Sequence, residues 1–253
     1  MKTQTLTFTG SQGHDLVARL DTPDDANTIT GYALFAHCFT CNKNLRAVSN
    51  INKALTERGI AVLRFDFTGL GESEGDFADT NFSSNIDDLV AAAEFMGEIA
   101  QPPQLLVGHS LGGAAVLQAA KRIPSCRAVA TIGAPYEPTH VTHLLACELE
   151  HIERTGIADV ILAGRKFTIK KQFLDDLEEN RMNLTLRDLK RALLVLHAPL
   201  DNTVGINNAG SIFQAARHPK SFIALDGADH LLTKGKYSKY AGGLIATWAA
   251  HYI

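Results

Sequence analysis

The chain has 253 residues, 45% of them hydrophobic and 20% charged, enough for one large domain around a well-buried core. The net charge is −3 and neither sign gathers into a long run, which argues against a nucleic-acid groove or a basic membrane-binding face and for a small, near-neutral partner. MKTQTLTFTG lacks the succession of a signal peptide and no apolar run approaches the ~20 residues of a spanning helix, so a soluble, cytoplasmic protein is expected, with Cys38, Cys41, Cys126 and Cys147 as free thiols.

Gln4 to Thr9 and His14 to Asp21 alternate apolar and polar residues around the turn signal TGSQG, the pattern of an antiparallel hairpin with one wet face. Six short, continuous apolar runs follow: YALFAH (32–37), IAVLRFDF (60–67), QLLVGH (104–109), RAVATIG (127–133), ALLVLHA (192–198) and SFIALDG (221–227). Runs of that kind are strands buried on both faces. With the hairpin they predict a mostly parallel, eight-stranded α/β sheet with helices on both faces and its ligand site at the carboxyl ends of the strands. One helix is placed after Ser84-Asn85-Ile86-Asp87, whose spacing fits a capping box and whose apolar stripe is Ile86, Leu89, Val90 and Ala93. From Tyr136 to about Arg191 the chain has far more residues than the dozen or so that a crossover needs. THVTHLLACELEHIE and KKQFLDDLEENR in this interval read as helices, so 1–253 is expected to be a single domain carrying a helical cap at about 136–191.

Chemistry concentrates after the run QLLV, at Gly108-His109-Ser110-Leu111-Gly112-Gly113. G-x-S-x-G is a weak motif alone, but here it falls between a buried strand and a helix, where a nucleophile elbow needs small neighbours around a strained serine. The Leu111 N–H, at the start of that helix, would face developing negative charge. A serine hydroxyl needs a base, and the base needs a third group to fix its tautomer. His230 directly follows a strand and reaches the productive edge, whereas His218 precedes that strand and His251 belongs to the last helix. Asp201 stands just past ALLVLHA at the same edge and is the expected acid, with Asp226 in reserve.

GHSLGG after an apolar strand, the later Asp201 and His230, and DFTGLGESEG (66–75) together resemble the α/β-hydrolase superfamily over essentially the whole chain. FAHCFTCNKN and LRFDFTGLGESEGDFADTNFSSNIDDLV are similar to the hydrolase half of bacterial proteins in which an α/β-hydrolase is fused to an OsmC-like domain; no second domain follows here, so the chain is either one half of such a fusion or a stand-alone relative. The resemblance implies an α/β-hydrolase fold and a carboxylic ester hydrolase acting on a small-molecule ester without a cofactor. Matching the family position by position makes Phe39 the second oxyanion donor, with Cys38 in the usual glycine place and His37 bracing the loop. The C-x-x-C of HCFTCNKN also admits a zinc site, completed from His140, His143, Cys147 and His151, or a dithiol. Neither outweighs the role of the loop backbone, since two ligands on a loop would have to meet two on a helix. A thioesterase, a small-peptide hydrolase and a non-catalytic ligand-binding module are the remaining alternatives.

Overall fold

The apolar runs become the central strands of one sheet. In the computed structural model, which describes residues 1–38, 42–162 and 164–253, the antiparallel hairpin β1 (Lys2–Thr9) and β2 (Asp15–Thr22) comes first. It is followed by β3 (Gly31–Ala36), α1 (Arg46–Thr56), β4 (Ile60–Phe65), α2 (Phe82–Ile99), β5 (Leu105–His109), α3 (Leu111–Ala119) and β6 (Ala128–Ile132). The long interval then holds a 3₁₀ segment (Pro138–Leu145), α4 (Leu149–Thr155), the hairpin β7 (Ile157–Leu162) and β8 (Arg165–Lys170), α5 (Lys171–Glu179) and α6 (Met182–Arg187). Strand β9 (Ala192–His197), α7 (Asn207–Ala215), β10 (Lys220–Ala224) and α8 (Gly235–Ala249) complete the chain.

Strand order is β1-β2-β4-β3-β5-β6-β9-β10. Only the β1–β2 and β2–β4 pairings in this sheet are antiparallel; the rest are parallel. Every residue of β4, β5, β6 and β9 is buried, as strands covered on both faces must be. Alternate residues feed two cores. Leu34, Leu63, Leu106, Val129 and Leu193 join the side chains of α2 and α3 on one face. Ala33, Val62, Leu105, Ala130 and Leu194 join α1 and α8 on the other. Among the described residues no helix is long and apolar enough to cross a membrane.

Helix α2 starts earlier than the sequence reading placed it. Its N-cap is Asn81, whose side chain accepts from the Ser84 amide while the Ser84 hydroxyl bonds back to the cap backbone. Ser84 is thus the third helical residue of the box, not its cap. A cap of this type contributes about 1 kcal/mol.

The insertion adds a β-hairpin to its helices. In β7 the residues Ala158, Val160 and Leu162 point into the core, while Ile157 and Ile161 stay exposed. The unit leans on the start of α2 and the segment before it: Phe167 meets Phe77 edge-on at 5.2 Å, Gln172 Nε2 donates to Thr80 O at 2.8 Å, and the Ser83 amide donates to Asp176 at 2.8 Å.

Beneath the β3 crossover lies a buried ionic knot. The Lys43 and Asp66 side chains are fully buried and in contact at 2.5 Å, and Asp66 also accepts from the Lys43 amide at 2.7 Å and the Glu72 amide at 3.0 Å. Arg64 pairs with Asp21 at 2.8 Å and donates to the Lys43 carbonyl. The loop DFTGLGESEG wraps this carboxylate so closely that a Cβ on Gly71, at φ 58°, would lie 2.1 Å from Asp66 Oδ2.

Candidate active site

Strand β5 ends at His109 and α3 begins at Leu111, leaving Ser110 alone in the turn at φ 56° and ψ −127°. That conformation is unusual for a side-chain-bearing residue and costs about 1–3 kcal/mol, which close packing must offset. The packing is visible at the motif glycines: a Cβ on Gly108 would lie 2.3 Å from the Gly112 carbonyl oxygen, and one on Gly112 would lie 2.3 Å from that of His37. The elbow therefore holds Ser110 Oγ out at the carboxyl edge of the sheet.

Two more loops converge there. The loop after β9 carries Asp201 and the loop after β10 carries His230. His230 Nε2 lies 3.0 Å from Ser110 Oγ, and His230 Nδ1 lies 2.7 Å from Asp201 Oδ2. Asp201 uses its two oxygens differently: Oδ2 faces the imidazole, while Oδ1 accepts from the Thr203 and Val204 amides, both at 2.9 Å. Burial pushes the Asp201 carboxyl up, but hydrogen bonds from His230 and the Val204 and Thr203 amides more than offset this and hold it below the usual carboxylate range. An ionised Asp201 puts the imidazole proton on Nδ1 and leaves Nε2 free to accept from the serine hydroxyl. Asp226 is exposed, so of the two candidate acids it is Asp201 that meets the histidine.

Leu111 opens α3, so its amide is one of the helical N–H groups without an intrahelical acceptor, immediately beside Ser110. Phe39, the other expected donor, lies outside the described residues, as does Cys41. Cys38 is buried and disulfide-bonded, which corrects the expectation that all four cysteines are free. Cys126 and Cys147 are free, the former with its thiol pushed up to about 12 by burial. His37 is buried with Nδ1 2.8 Å from the Cys38 carbonyl and Nε2 3.9 Å from Asp66, and burial lowers its pKa. His140 and His143 lie in the 3₁₀ segment and His151 in α4, and among the described residues they form no ligand set. His140 Nε2 lies 2.9 Å from Thr203 O and its ring packs edge-on against His143, and among the described residues no cluster of three or more His, Cys, Asp or Glu side chains fits a metal ion.

A cavity of about 40 Å³ opens beside the serine, lined by Ser110, Leu111, Pro135, His140, Val141, Leu144, Thr203 and Val204. His140, Val141 and Leu144 in this lining belong to the 3₁₀ segment of the insertion. Two buried histidines at the site were not singled out from the sequence: His109, next to the nucleophile candidate, and His197, at the end of β9. The only signal for His109 was its place inside the motif.

Residues 36–158 match the family described as serine aminopeptidase, S33 (Hydrolase_4). Over its whole length the chain is 51% identical to the esterase domain of a Rhodothermus marinus protein, covering 100% of this chain and 99% of that one with a TM-score of 0.82. The chain belongs to the α/β-hydrolase superfamily. As expected of an α/β-hydrolase, it also shares the fold of Est1E from Butyrivibrio proteoclasticus, solved with ferulic acid, at 19% identity and a TM-score of 0.81 over 98% of this chain and 99% of that one. A shorter stretch of 100 residues is 33% identical to the mitochondrial palmitoyl-protein thioesterase ABHD10 of Rattus norvegicus, covering 40% of this chain and 32% of that protein. The matched stretch thus spans about a third of that curated relative.

Proposed function

We propose that this hydrolase cleaves carboxylic esters of short acyl chain through an acyl-enzyme intermediate. The observation that carries the reading is the continuous hydrogen-bonded chain from Ser110 Oγ through His230 to Asp201, at 3.0 and 2.7 Å, on a strained strand-to-helix turn. Similarity to an esterase domain at 51% identity supports it. Ser110 Oγ attacks the acyl carbonyl as His230 Nε2 takes its proton, and Asp201 stabilises the imidazolium. The Leu111 N–H meets the oxyanion, and the family resemblance assigns the second donor to Phe39. The imidazolium then protonates the departing alkoxide, and a water activated by the same histidine cleaves the acyl-enzyme. No step calls for a cofactor.

The small space beside Ser110 supports the short acyl chain. Pockets for drug-sized ligands run to several hundred Å³, roughly 300–1,000; the cavity beside Ser110 is about 40 Å³, walled by Leu111, Pro135, Val141, Leu144 and Val204. A space of that size favours a short aliphatic group over a long one. Thioester cleavage is the second reading, favoured by the similarity to a palmitoyl-protein thioesterase, and uses the same residues on the same carbonyl carbon.

The test is a series of 4-nitrophenyl esters from acetate to octanoate, with matched thioesters, on wild type and Ser110→Ala. Turnover should peak at the short end and vanish in the variant. Equal rates in both proteins, or a fluorophosphonate adduct located anywhere but Ser110, would sink the reading.

A further inference from the structure

His109 belongs to none of the three hydrogen-bonded side chains, yet it touches two of the loops that carry them. It is the residue before Ser110 and is 4% exposed. Its Nε2 lies 2.7 Å from the carbonyl oxygen of His230, and the two imidazoles sit 5.1 Å apart at a 39° tilt. Apart from the bonds of the His230 ring to Asp201 and Ser110, the turn is held by bonds within itself: Ala228 N–H donates to Leu225 O, Leu232 N–H to Asp229 O, and Thr233 N–H to the Asp229 side chain. Leu232 takes a positive φ of 51° to close it. These bonds hold the turn's neighbours of His230. The backbone of His230 itself is held by the ring of His109.

A carbonyl oxygen only accepts, so His109 Nε2 must carry a proton. Burial first, and the charge of His230 second, lower His109 to about 4, so its ring is neutral at neutral pH. A permanent cation at that distance would oppose the imidazolium that the proposed reaction forms; a neutral N–H donor fixes the loop without doing so. A buried histidine that merely satisfies a carbonyl is the plain alternative. It does not explain why both ends of this one bond fall on adjacent members of the site.

On the serine-hydrolase reading above, we propose that His109 is a positioning residue. As the neutral tautomer protonated on Nε2, it ties the nucleophile elbow to the loop of the general base and so sets the reach of His230 Nε2 to Ser110 Oγ. His197 makes the parallel bond on the acid side, with Nε2 2.7 Å from Val204 O, in the loop whose amides hold Asp201.

The experiment compares His109→Gln, whose amide nitrogen reaches the place of Nε2 and still donates, with His109→Leu, which fills the space and cannot. With a short 4-nitrophenyl ester, the Leu variant should lose about 10- to 100-fold in kcat with KM changed less than about threefold, because loosened geometry between reacting groups costs on that order. The Gln variant should recover most of the loss. The low-field proton NMR signal of the His230–Asp201 bond should persist in Gln and broaden in Leu. A Leu variant within twofold of wild-type kcat, or equal losses in both variants that follow their Tm, would overturn the proposal. Nitrogen-15 NMR of the wild type decides the tautomer even where a variant fails to fold: protonation of His109 on Nδ1 would also overturn it. Failure of the hydrolase reading looks different, since wild type would then show no Ser110-dependent turnover while the NMR arms still report on the His109 bond.

Discussion

Replacing Asp201 by Asn preserves shape and removes one charge, and the structure says which way the new amide must face. Asp201 Oδ1 accepts two backbone N–H groups, from Thr203 and Val204, while Oδ2 accepts one bond from His230. If the Asn nitrogen turned toward the backbone, the Thr203 and Val204 N–H groups would both lose their acceptor, at about 1–3 kcal/mol for the buried Val204 donor alone. If it turns toward His230, only one contact is altered, and the imidazole can answer by moving its proton from Nδ1 to Nε2. The second arrangement wins by one hydrogen bond or more. It leaves Nε2 protonated and facing Ser110 Oγ, unable to accept the serine proton. The expected loss in kcat at neutral pH is about 10⁴-fold, or about 5 kcal/mol in the barrier. Steady-state hydrolysis of a short 4-nitrophenyl ester measures it, with Tm as a check on folding. A variant that keeps kcat within tenfold of wild type while remaining folded would refute the role of Asp201 and the reasoning on its tautomer together.

Lys43→Met should cost stability out of proportion to its loop position, because it strips a fully buried carboxylate of its cation; about 3–5 kcal/mol in urea unfolding is expected, and a loss below about 1 kcal/mol would contradict it. Stability should also fall on mild acidification. The unfolded chain takes up a proton on His109 near its ordinary 6.5, whereas the folded protein does so only at about 4. Between those values the unfolded state binds more protons, so stability is lost as pH drops through that window, by up to about 3 kcal/mol. His37 and His197, also lowered by burial, act in the same direction. Tm measured from pH 7 to 4 should therefore decline, and less steeply in His109→Gln; identical slopes would remove His109 from the account.

Much of this architecture was legible because its signals are local and periodic. A strand buried on both faces must be apolar at every position, and YALFAH, IAVLRFDF, QLLVGH and ALLVLHA say so without reference to any partner. Strand order in the chain then places the residue after each run at one edge of the sheet, which is why Ser110, Asp201 and His230 could be named together. Where the signal was mixed, reading failed. IADVIL has apolar residues on both its buried and its exposed face, so the hairpin β7–β8 passed as part of a helical cap. The N-cap of α2 went to Ser84 instead of Asn81 because both can fill the box and only the backbone shows which does.

The sequence by itself determined which residue types stand at the carboxyl edge of the sheet, since burial dictates composition and topology dictates position. Only the tertiary structure decided which of Asp201 and Asp226 bonds the histidine, how far Ser110 is forced into a positive φ, and that His109 holds the backbone of His230. The physical reason is range. Those facts are distances between groups as many as 121 positions apart, fixed by how loops fold back over a finished sheet, and no local pattern of hydrophobicity or spacing records them.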